Sequence, residues 1–114
     1  MSSHPLCVIP GDGIGQEVIP VAVEVLRAAL PGLTVTQAEA GWETFQRTGV
    51  ALPPETLEAA RACGAVLFGA VASPSHPVAG YRSPIVALRR ELDVFANLRP
   101  VRSWPVAGSH PVLD

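Results

Sequence analysis

The beginning of the chain has two apolar runs on either side of a longer segment with helical periodicity. Leu6–Pro10 is short and apolar, which predicts a strand, and the glycine-rich turn Gly11–Gly15 follows it. A helix is expected to start near Glu17 and to end at Pro31–Gly32, before the alternating run Leu33–Glu39, a predicted second strand. The order strand, turn, helix and strand predicts a βαβ unit. The helix's predicted apolar face consists of Val18, Ala22, Val25, Leu26, Ala29 and Leu30.

The middle of the chain continues this alternation of helical and extended patterns. Gly41–Thr48 predicts a short amphipathic helix, and its aromatic residues Trp42 and Phe45 favour a place in the core over a cofactor site. Glu55–Cys63 predicts a further helix, and Ala65–Ala70 predicts a buried strand. The element order therefore predicts an α/β fold with a parallel-rich sheet and flanking helices, whose sheet edges are still open in this sequence.

A loop rich in proline, serine and glycine, Val71–Gly80, follows that strand. Ligands of open α/β sheets gather outside the carboxyl ends of the strands, so the loop is a candidate functional segment. Ser73 is its candidate for a hydroxyl that faces a ligand, although a single serine in a loop is most often a turn residue.

The segment Ser83–Pro100 predicts a helix followed at once by a strand. Ser83 is a candidate N-cap, and Val94–Leu98 is a short apolar run that suits a buried strand. Arg89 and Arg99 then lie at the end of the helix and at the exit of the strand. A guanidinium grips a carboxylate with two parallel N–H bonds, so this pair suits a ligand with more than one carboxylate. The predicted core stripe of the helix is Ile85, Leu88 and Leu92.

The composition excludes several function classes. The chain is 48% hydrophobic and 16% charged, which is typical of a globular protein and of neither a disordered nor a membrane-spanning one. A net charge of −2 gives no electrostatic footprint for nucleic acid. All 8 basic residues are arginine, so this sequence contains no Walker-type, Schiff-base or biotin-carrying lysine. The N-terminus resembles no signal peptide, and we expect a cytoplasmic protein.

The cysteines and histidines do not form a metal-binding pattern. Cys7 and Cys63 are far apart in sequence and lie in apolar runs, which favours reduced structural cysteines over a disulfide or a ligand pair. His4, His76 and His110 have no metal-like spacing among themselves or with the cysteines.

The glycine-rich turn has two interpretations. Such a turn can direct backbone N–H groups onto a phosphate, and Glu39 lies where a dinucleotide-binding fold would place its ribose acid. The glycines are spaced G-x-G-x-G, however, whereas the fingerprint requires G-x-G-x-x-G. Asp12 would also put a negative charge beside a pyrophosphate. The spacing favours a tight turn that needs positive φ.

Four segments together resemble one enzyme family. They are Pro10–Val18, Ala40–Leu57, Leu67–Ser73 and Ser83–Ser103. In this order they are similar to the β-decarboxylating dehydrogenases, which oxidise (2R,3S)-malate derivatives with NAD(P) and a divalent metal. The family includes isocitrate, 3-isopropylmalate, homoisocitrate and tartrate dehydrogenases. The resemblance implies an isopropylmalate dehydrogenase-like α/β fold that binds NAD without a Rossmann fingerprint.

Within the family, the motifs are most similar to those of homoisocitrate dehydrogenase, which serves the α-aminoadipate route to lysine. The grounds are the loop LFGAVASP, where isopropylmalate enzymes typically show GAVGGPKW, and the run GYRSPIVALRREL. Isocitrate enzymes share GWETF and ANLRPV with this sequence and remain an alternative. Val86 leaves the choice open, because an apolar residue there equally suits the isopropyl group of 3-isopropylmalate.

The resemblance implies a role for four residues on the substrate side. Arg89 and Arg99 match the family arginines that bind the malate core, in agreement with the carboxylate-binding geometry inferred from their positions. Ser73 matches a substrate-contacting hydroxyl, and Val86 matches the position that faces the variable substituent. The expected ligand is a small di- or tricarboxylate.

The resemblance also implies a cofactor side. Val71, Ala72 and Ser73 match the loop that touches the nicotinamide side of NAD, and Ile14 matches a cofactor contact. The implied reaction passes hydride from C2 to NAD⁺, after which the β-keto acid loses CO₂ with the help of Mg²⁺ or Mn²⁺ and a general acid protonates C3. For homoisocitrate the product is 2-oxoadipate.

The family's catalytic groups have no match in this sequence. Its catalytic lysine, metal-binding aspartates, third substrate arginine and tyrosine come after the matched motifs, so the 114-residue chain alone is expected to be inactive, with no catalytic or metal-binding residue of its own. Residues 1–100 would be the first half of a discontinuous first domain, and residues 101–114 a connector into a second, truncated domain. The family forms homo-oligomers. The alternative from another class is a non-catalytic remnant or interaction module.

Overall fold

The computed structural model describes residues 2–108, in which three strands alternate with four helices. The predicted order of elements is confirmed from the first strand to the helix after Ser83, and each predicted helix appears within two residues of its expected bounds. The sequence Val112–Asp114 also predicts the start of a further strand, and this segment lies outside the described residues. The elements in chain order are β1 (His4–Gly11), α1 (Gly15–Ala29), β2 (Leu33–Gln37), α2 (Trp42–Thr48), α3 (Pro54–Cys63), β3 (Val66–Ala70) and α4 (Pro84–Glu91).

The sheet has β1 in its centre. The strand order is β2-β1-β3, and both pairings are parallel, with Leu6 opposite Val35 and Ile9 opposite Phe68. Parallel strands joined by helices are covered on both faces, and the central strand accordingly carries residues that water cannot reach. The α/β fold class with a parallel sheet and flanking helices is therefore confirmed.

Successive residues of β1 serve two different core layers, because side chains alternate across a strand. Val8 packs on one face with Ile19 and Val23 of α1. Cys7 and Ile9 face the other side, where helices α3 and α4 cover the sheet. That layer is formed by Cys7, Ile9, Ala40, Ala60 and Leu88. The sheet is therefore sandwiched between α1 and the helices α3 and α4.

The face of α1 that meets the sheet differs from the predicted one. Ile19 and Val23 are 6% and 4% exposed, whereas Val18 and Val25 are 49% and 64% exposed. The prediction for Val18, Val25 and Leu30 was wrong because the helix carries apolar residues on two faces. Periodicity alone cannot tell which apolar face meets the sheet; contact with β1 decides it.

Helix α1 also starts earlier than predicted. It begins at Gly15 instead of near Glu17, so Pro20 lies in the second helical turn. The first bond of the helical i to i−4 type runs from the Val18 N–H to the Ile14 carbonyl. Pro20 has no N–H for the next turn, a local cost that the packed face around it must offset.

Helix α4 is held on the sheet by packing and by one ion pair. Ser83 precedes it as predicted, but its side chain makes no capping hydrogen bond. Leu88 is buried in the core layer, and Arg61 of α3 lies 3.0 Å from the Glu91 carboxylate. The helix is thus fixed at its middle and at its C-terminal end.

The strand predicted at Val94–Leu98 is absent from the described structure. Asp93 has a φ of 52° at the end of α4 and turns the chain away from the sheet. Phe95 and Leu98 are 99% and 87% exposed. The prediction was wrong for this structure, because a strand needs a hydrogen-bonding neighbour and the outer edge of β3 has none among residues 2–108.

Both cysteine thiols are free, Cys7 buried and Cys63 half-buried. Burial raises the pKa of the Cys7 thiol, and negative charge on the nearby Cys63 raises it further. None of the helices in residues 2–108 has the length and apolar character needed to cross a membrane.

A pair of valines two positions apart tests the face of α1. We expect Val23→Ala to lower the free energy of unfolding by about 2 kcal/mol, because it removes buried apolar surface and leaves a cavity. Val25→Ala, the matched control on the exposed face, should change it by less than about 0.5 kcal/mol. Urea denaturation followed by circular dichroism measures both. Equal losses would contradict the observed orientation.

The raised pKa of Cys7 predicts a loss of stability in alkaline solution. The folded protein holds the thiol proton more tightly than the unfolded chain, so stability is complete below the ordinary thiol pKa of about 8.5 and declines as pH rises above it. We expect the urea midpoint to fall between about pH 8 and about pH 9.5, and to fall less in Cys7→Ala. The same decline in both proteins would rule out Cys7 as the group responsible.

Candidate functional site

The carboxyl ends of β1 and β3 form one edge of the sheet, and the glycine-rich turn and the loop after β3 both begin there. Gly11 lies opposite Ala70, and the Asp12 N–H donates to the Ala70 carbonyl at 2.7 Å. Strand β2 lies on one side of β1 and strand β3 lies on the other. The segments that follow the carboxyl ends of β1 and β3 therefore diverge at this edge, which is the topological switch point of the sheet. Open α/β sheets bind ligands at such a point.

The Asp12 carboxylate is the most constrained polar group at this edge. Asp12 is 2% exposed, and its Oδ2 accepts the N–H groups of Trp42 and Ala72 at 2.8 and 2.9 Å. Its Oδ1 accepts the N–H of Glu43 at 2.9 Å. The carboxylate therefore caps the first turn of α2 and holds the start of the loop after β3 at the same time.

Gly41 makes the approach of Asp12 to α2 possible. It is the N-cap residue of α2, with a φ of 132° that L side chains rarely adopt. A Cβ at this position would overlap all three terminal atoms of the Asp12 carboxylate. Glycine is required here for both conformation and space.

The three N–H groups at the start of α1 are not free to bind a phosphate. The N–H groups of Gly15, Gln16 and Glu17 donate to carbonyls within the turn and first helical residues at 3.0 Å each. Glu39, the residue considered as a ribose acid, pairs with Arg47 of α2. The tight-turn interpretation agrees with these contacts, and Asp12 points away from the turn's surface into the protein.

The loop after β3 carries the residues predicted to face ligands. Ala72 and Ser73 are exposed, and Ser73 lines a cavity of about 380 Å³ together with His76 and Tyr81. Ile14 is 59% exposed in the neighbouring turn. The structure thus brings Ile14 and the Ala72–Ser73 segment to the same edge, although their roles toward a cofactor stay predictions.

An aromatic cluster closes the far end of this loop. Trp42 and Phe45 of α2 stack with ring centroids 5.6 Å apart, and Tyr81 meets each of them edge-on at 5.3 Å. The hydroxyl of Tyr81 is buried and has no hydrogen-bond partner among the described residues. These half-buried rings form packing contacts, as predicted for Trp42 and Phe45.

The predicted substrate arginines are not gathered around one cavity. Arg89 lines a cavity of about 800 Å³ between β3, α3 and α4, beside Phe68 and Leu88. Arg99 does not line it; its Nε lies 3.5 Å from the Asn97 Oδ1 in the extended segment after α4. Val86 is 45% exposed on α4. The carboxylate-binding roles of these residues stay predictions.

Sequence reasoning assigned no structural role to Asp12. The signal that could have found it is a short acid between two glycines at the end of a buried strand, together with α2, which starts after a glycine and lacks a side-chain cap. Among residues 2–108, no group of three or more His, Cys, Asp or Glu side chains could hold a metal ion. The expected location of the metal ligands outside this sequence remains a prediction.

Two acids at the same edge provide a matched stability test. Asp12→Ala leaves three backbone N–H groups without their acceptor, and we expect it to lower the free energy of unfolding by about 3 kcal/mol or more. Glu39→Ala removes only an exposed ion pair and should cost less than about 1 kcal/mol. Thermal unfolding measures both changes. Similar costs would show that Asp12 is not the main anchor.

Residues 5–113 match the model of the isocitrate/isopropylmalate dehydrogenase family. The isocitrate/homoisocitrate dehydrogenase of Thermus thermophilus is 51% identical over 112 residues, which cover 98% of this chain and 34% of that protein. The 3-isopropylmalate/3-methylmalate dehydrogenase of Methanocaldococcus jannaschii is 48% identical over 101 residues, 89% of this chain and 28% of that protein. The chain thus spans about a third of the length of these curated relatives.

The solved structures that this chain resembles belong to the same kind of enzyme as the relatives found by sequence. The apo form of a β-decarboxylating dehydrogenase from Thermococcus kodakarensis superposes with a TM-score of 0.72 at 46% identity, over 79% of this chain and 27% of that one. The isocitrate dehydrogenase of Methylococcus capsulatus gives a TM-score of 0.71 at 33% identity, over 79% of this chain and 26% of that one. The family match, the relatives and the shared fold agree, and the chain belongs to the isocitrate/isopropylmalate dehydrogenase family of β-decarboxylating dehydrogenases.

Proposed function

We propose that this chain is the N-terminal portion of an NAD-dependent, divalent-metal-dependent enzyme that oxidises and decarboxylates a (2R,3S)-malate derivative. The proposed substrate is homoisocitrate, and the product is 2-oxoadipate. One observation carries the proposal: the turn with Ile14 and the segment Ala72–Ser73 meet at the switch point of a sheet whose sequence belongs to this family. The Thermus relative is named for both isocitrate and homoisocitrate, which supports homoisocitrate as the proposed substrate and keeps isocitrate as an alternative.

On the substrate side, α4 carries one residue for the malate core that all the family's substrates share and one residue for the substituent in which they differ. Arg89 is exposed in the last turn of α4, where its fork can hold a carboxylate of the malate core in a fixed plane. Val86 lies one turn earlier and faces the substituent at C3. Arg99 grips the same malate core from the following segment, and Ser73 donates its hydroxyl to the substrate.

On the cofactor side, Ile14, the half-buried Val71 and the exposed Ala72 and Ser73 hold the nicotinamide end of NAD. When bound, NAD accepts hydride from the substrate. The positions of these residues support a cofactor site, because Ile14 and the segment Ala72–Ser73 are exposed at the same end of the sheet. Residues 2–108 contain no group of three or more His, Cys, Asp or Glu side chains that could hold a metal ion, and we assign the metal's ligands to the part of the enzyme that this chain does not contain.

This chain contributes positioning and charge neutralisation. The two or three carboxylates of one substrate molecule repel one another. Two permanently charged guanidiniums offset this electrostatic repulsion and also fix the orientation of the substrate. Among the described residues, Asp12 is the buried acid at the switch point, and we assign it no acid–base role because its carboxylate is engaged with three N–H groups. The 114-residue chain alone is therefore expected to be inactive.

The remaining proposals concern the whole enzyme. Residues 1–100 form half of its first domain, and residues 101–114 lead into the second. The enzyme is a cytoplasmic homo-oligomer. Its partner is a small carboxylate substrate, with no nucleic acid and no membrane, in agreement with the net charge of −2.

An assay of a completed chain tests the proposed function. In the completed chain, this sequence replaces the matching third of the Thermus relative. We expect NADH formation with homoisocitrate and Mg²⁺ that exceeds the rate with isocitrate or 3-isopropylmalate. Activity confined to 3-isopropylmalate or isocitrate would reassign the substrate, and inactivity on all three would favour a non-catalytic remnant or interaction module.

Neighbouring arginines provide matched controls for the substrate site. We expect Arg89→Gln in the completed chain to lower kcat/KM by about 10- to 100-fold, because it removes a charge-assisted contact with a carboxylate. Arg90→Gln removes the same charge from the adjacent residue and should stay within about twofold. The pair Arg99→Gln and Arg102→Gln repeats the comparison after α4. Steady-state kinetics measure all four, and equal effects within a pair would contradict a specific role.

A further inference from the structure

We propose that α2 clamps the loop after β3 at both ends, and that Asp12 and Tyr81 are positioning residues for Ala72 and Ser73. The proposal rests on the proposed function and deepens it, because it states how the contacts of Asp12 and Tyr81 would position the predicted ligand-binding residues. The clamped segment is residues 72–81.

The entrance of the loop is fixed through Asp12. Its Oδ2 accepts the Ala72 N–H at 2.9 Å and the Trp42 N–H at 2.8 Å, so one buried oxygen ties the loop to the first turn of α2. Ala72 is the residue before Ser73. The orientation of the peptide unit that carries the Ala72 N–H is thereby set from a residue 60 positions away in sequence.

The exit of the loop is fixed through Tyr81. Its ring meets those of Trp42 and Phe45 edge-on at 5.3 Å, and both partners lie on α2. Edge-to-face aromatic pairs are stabilising beyond the apolar area they bury. The Tyr81 N–H also donates to the Val78 carbonyl at 3.1 Å, which closes a turn just before α4. Helix α2 thus contacts the exit of the loop through the rings of Trp42 and Phe45 and is linked to its entrance through the Asp12 carboxylate.

The middle of the loop is far less constrained. Ser75 and His76 are exposed, and the described side-chain contact between them is a hydrogen bond of 3.3 Å. A loop with fixed ends and an adaptable middle can hold Ser73 next to the sheet edge while the outer residues adjust to a ligand. Because preorganisation lowers the entropic cost of binding, the clamp should act mainly on substrate affinity.

The buried hydroxyl of Tyr81 allows packing to be separated from hydrogen bonding. It has no partner among the described residues, so Tyr81→Phe keeps the ring contacts and loses nothing polar. Asp12→Asn keeps one oxygen that can accept the Trp42 and Ala72 N–H groups, whereas its NH₂ group replaces the acceptor of the Glu43 N–H and leaves two donors facing each other. Each end of the clamp therefore has a conservative variant that should rescue it.

Amide hydrogen exchange in the 114-residue chain tests the clamp itself. We expect Tyr81→Ala and Asp12→Ala to raise the exchange rate of the Ala72 N–H by about tenfold or more, while Tyr81→Phe and Asp12→Asn stay within about threefold. The Cys7 N–H, which bonds to the Ala65 carbonyl in the sheet, is the internal control for global unfolding. If Asp12→Ala also raises the exchange rate of the Cys7 N–H, the comparison of Tyr81→Ala with Tyr81→Phe decides whether the clamp exists. Unchanged Ala72 exchange in Tyr81→Ala would overturn the clamp.

Steady-state kinetics in the completed chain test its consequence for binding. We expect Tyr81→Ala to raise KM for the malate derivative by about tenfold with kcat changed by less than about threefold, and Tyr81→Phe to restore KM. Equal KM values in Tyr81→Ala and Tyr81→Phe would overturn the positioning role. If the unsubstituted completed chain oxidises no malate derivative, the proposed function fails, and the exchange experiment still decides whether the clamp exists.

Discussion

A carboxylate without access to water is the constraint on which the rest of this structure depends. Asp12 is 2% exposed, and burying an ionised carboxylate is very costly unless hydrogen bonds compensate it. Three backbone N–H groups, those of Trp42, Glu43 and Ala72, supply that compensation. Charge-assisted bonds of this kind contribute about 1.5–3 kcal/mol each. The end of β1, the start of α2 and the loop after β3 are therefore stable only when they meet.

The contacts of Asp12 explain how a sheet of three strands can hold candidate ligand-binding residues at the carboxyl ends of its strands. The N–H groups of Gly15, Gln16 and Glu17 donate to carbonyls of the glycine-rich turn, and Gly11 lies too close to the Ala70 carbonyl for any side chain. The loop after β3 begins beside it, and Tyr81 returns the chain to α2 before α4 starts. Helix α4 is then held by Leu88 and by the ion pair of Glu91 with Arg61. The predicted ligand residues Ser73 and Arg89 thus lie on segments held by contacts with the core, whereas Arg99 lies in the exposed segment after α4.

The predictions failed where one pattern allowed two arrangements. Helix α1 carries apolar residues on two faces, and only contact with Val8 selects Ile19 and Val23 as the buried ones. The run Val94–Leu98 has the composition of a strand, yet composition does not provide the neighbouring strand whose hydrogen bonds would make it one. Both failures concern the choice of a partner, and in both the local residue types were read correctly.

The sequence by itself determined the elements and their order as far as α4, the parallel α/β class and, through several motifs together, the family. These properties depend on residues that are neighbours along the chain, such as the apolar run of β1 or the glycines that end α2 and α3. The tertiary structure alone decided the partners of Asp12, which lie 30 to 60 positions away, and the cluster of Trp42, Phe45 and Tyr81. No local pattern specifies such contacts, because they arise only when the whole sheet has brought distant segments to one edge.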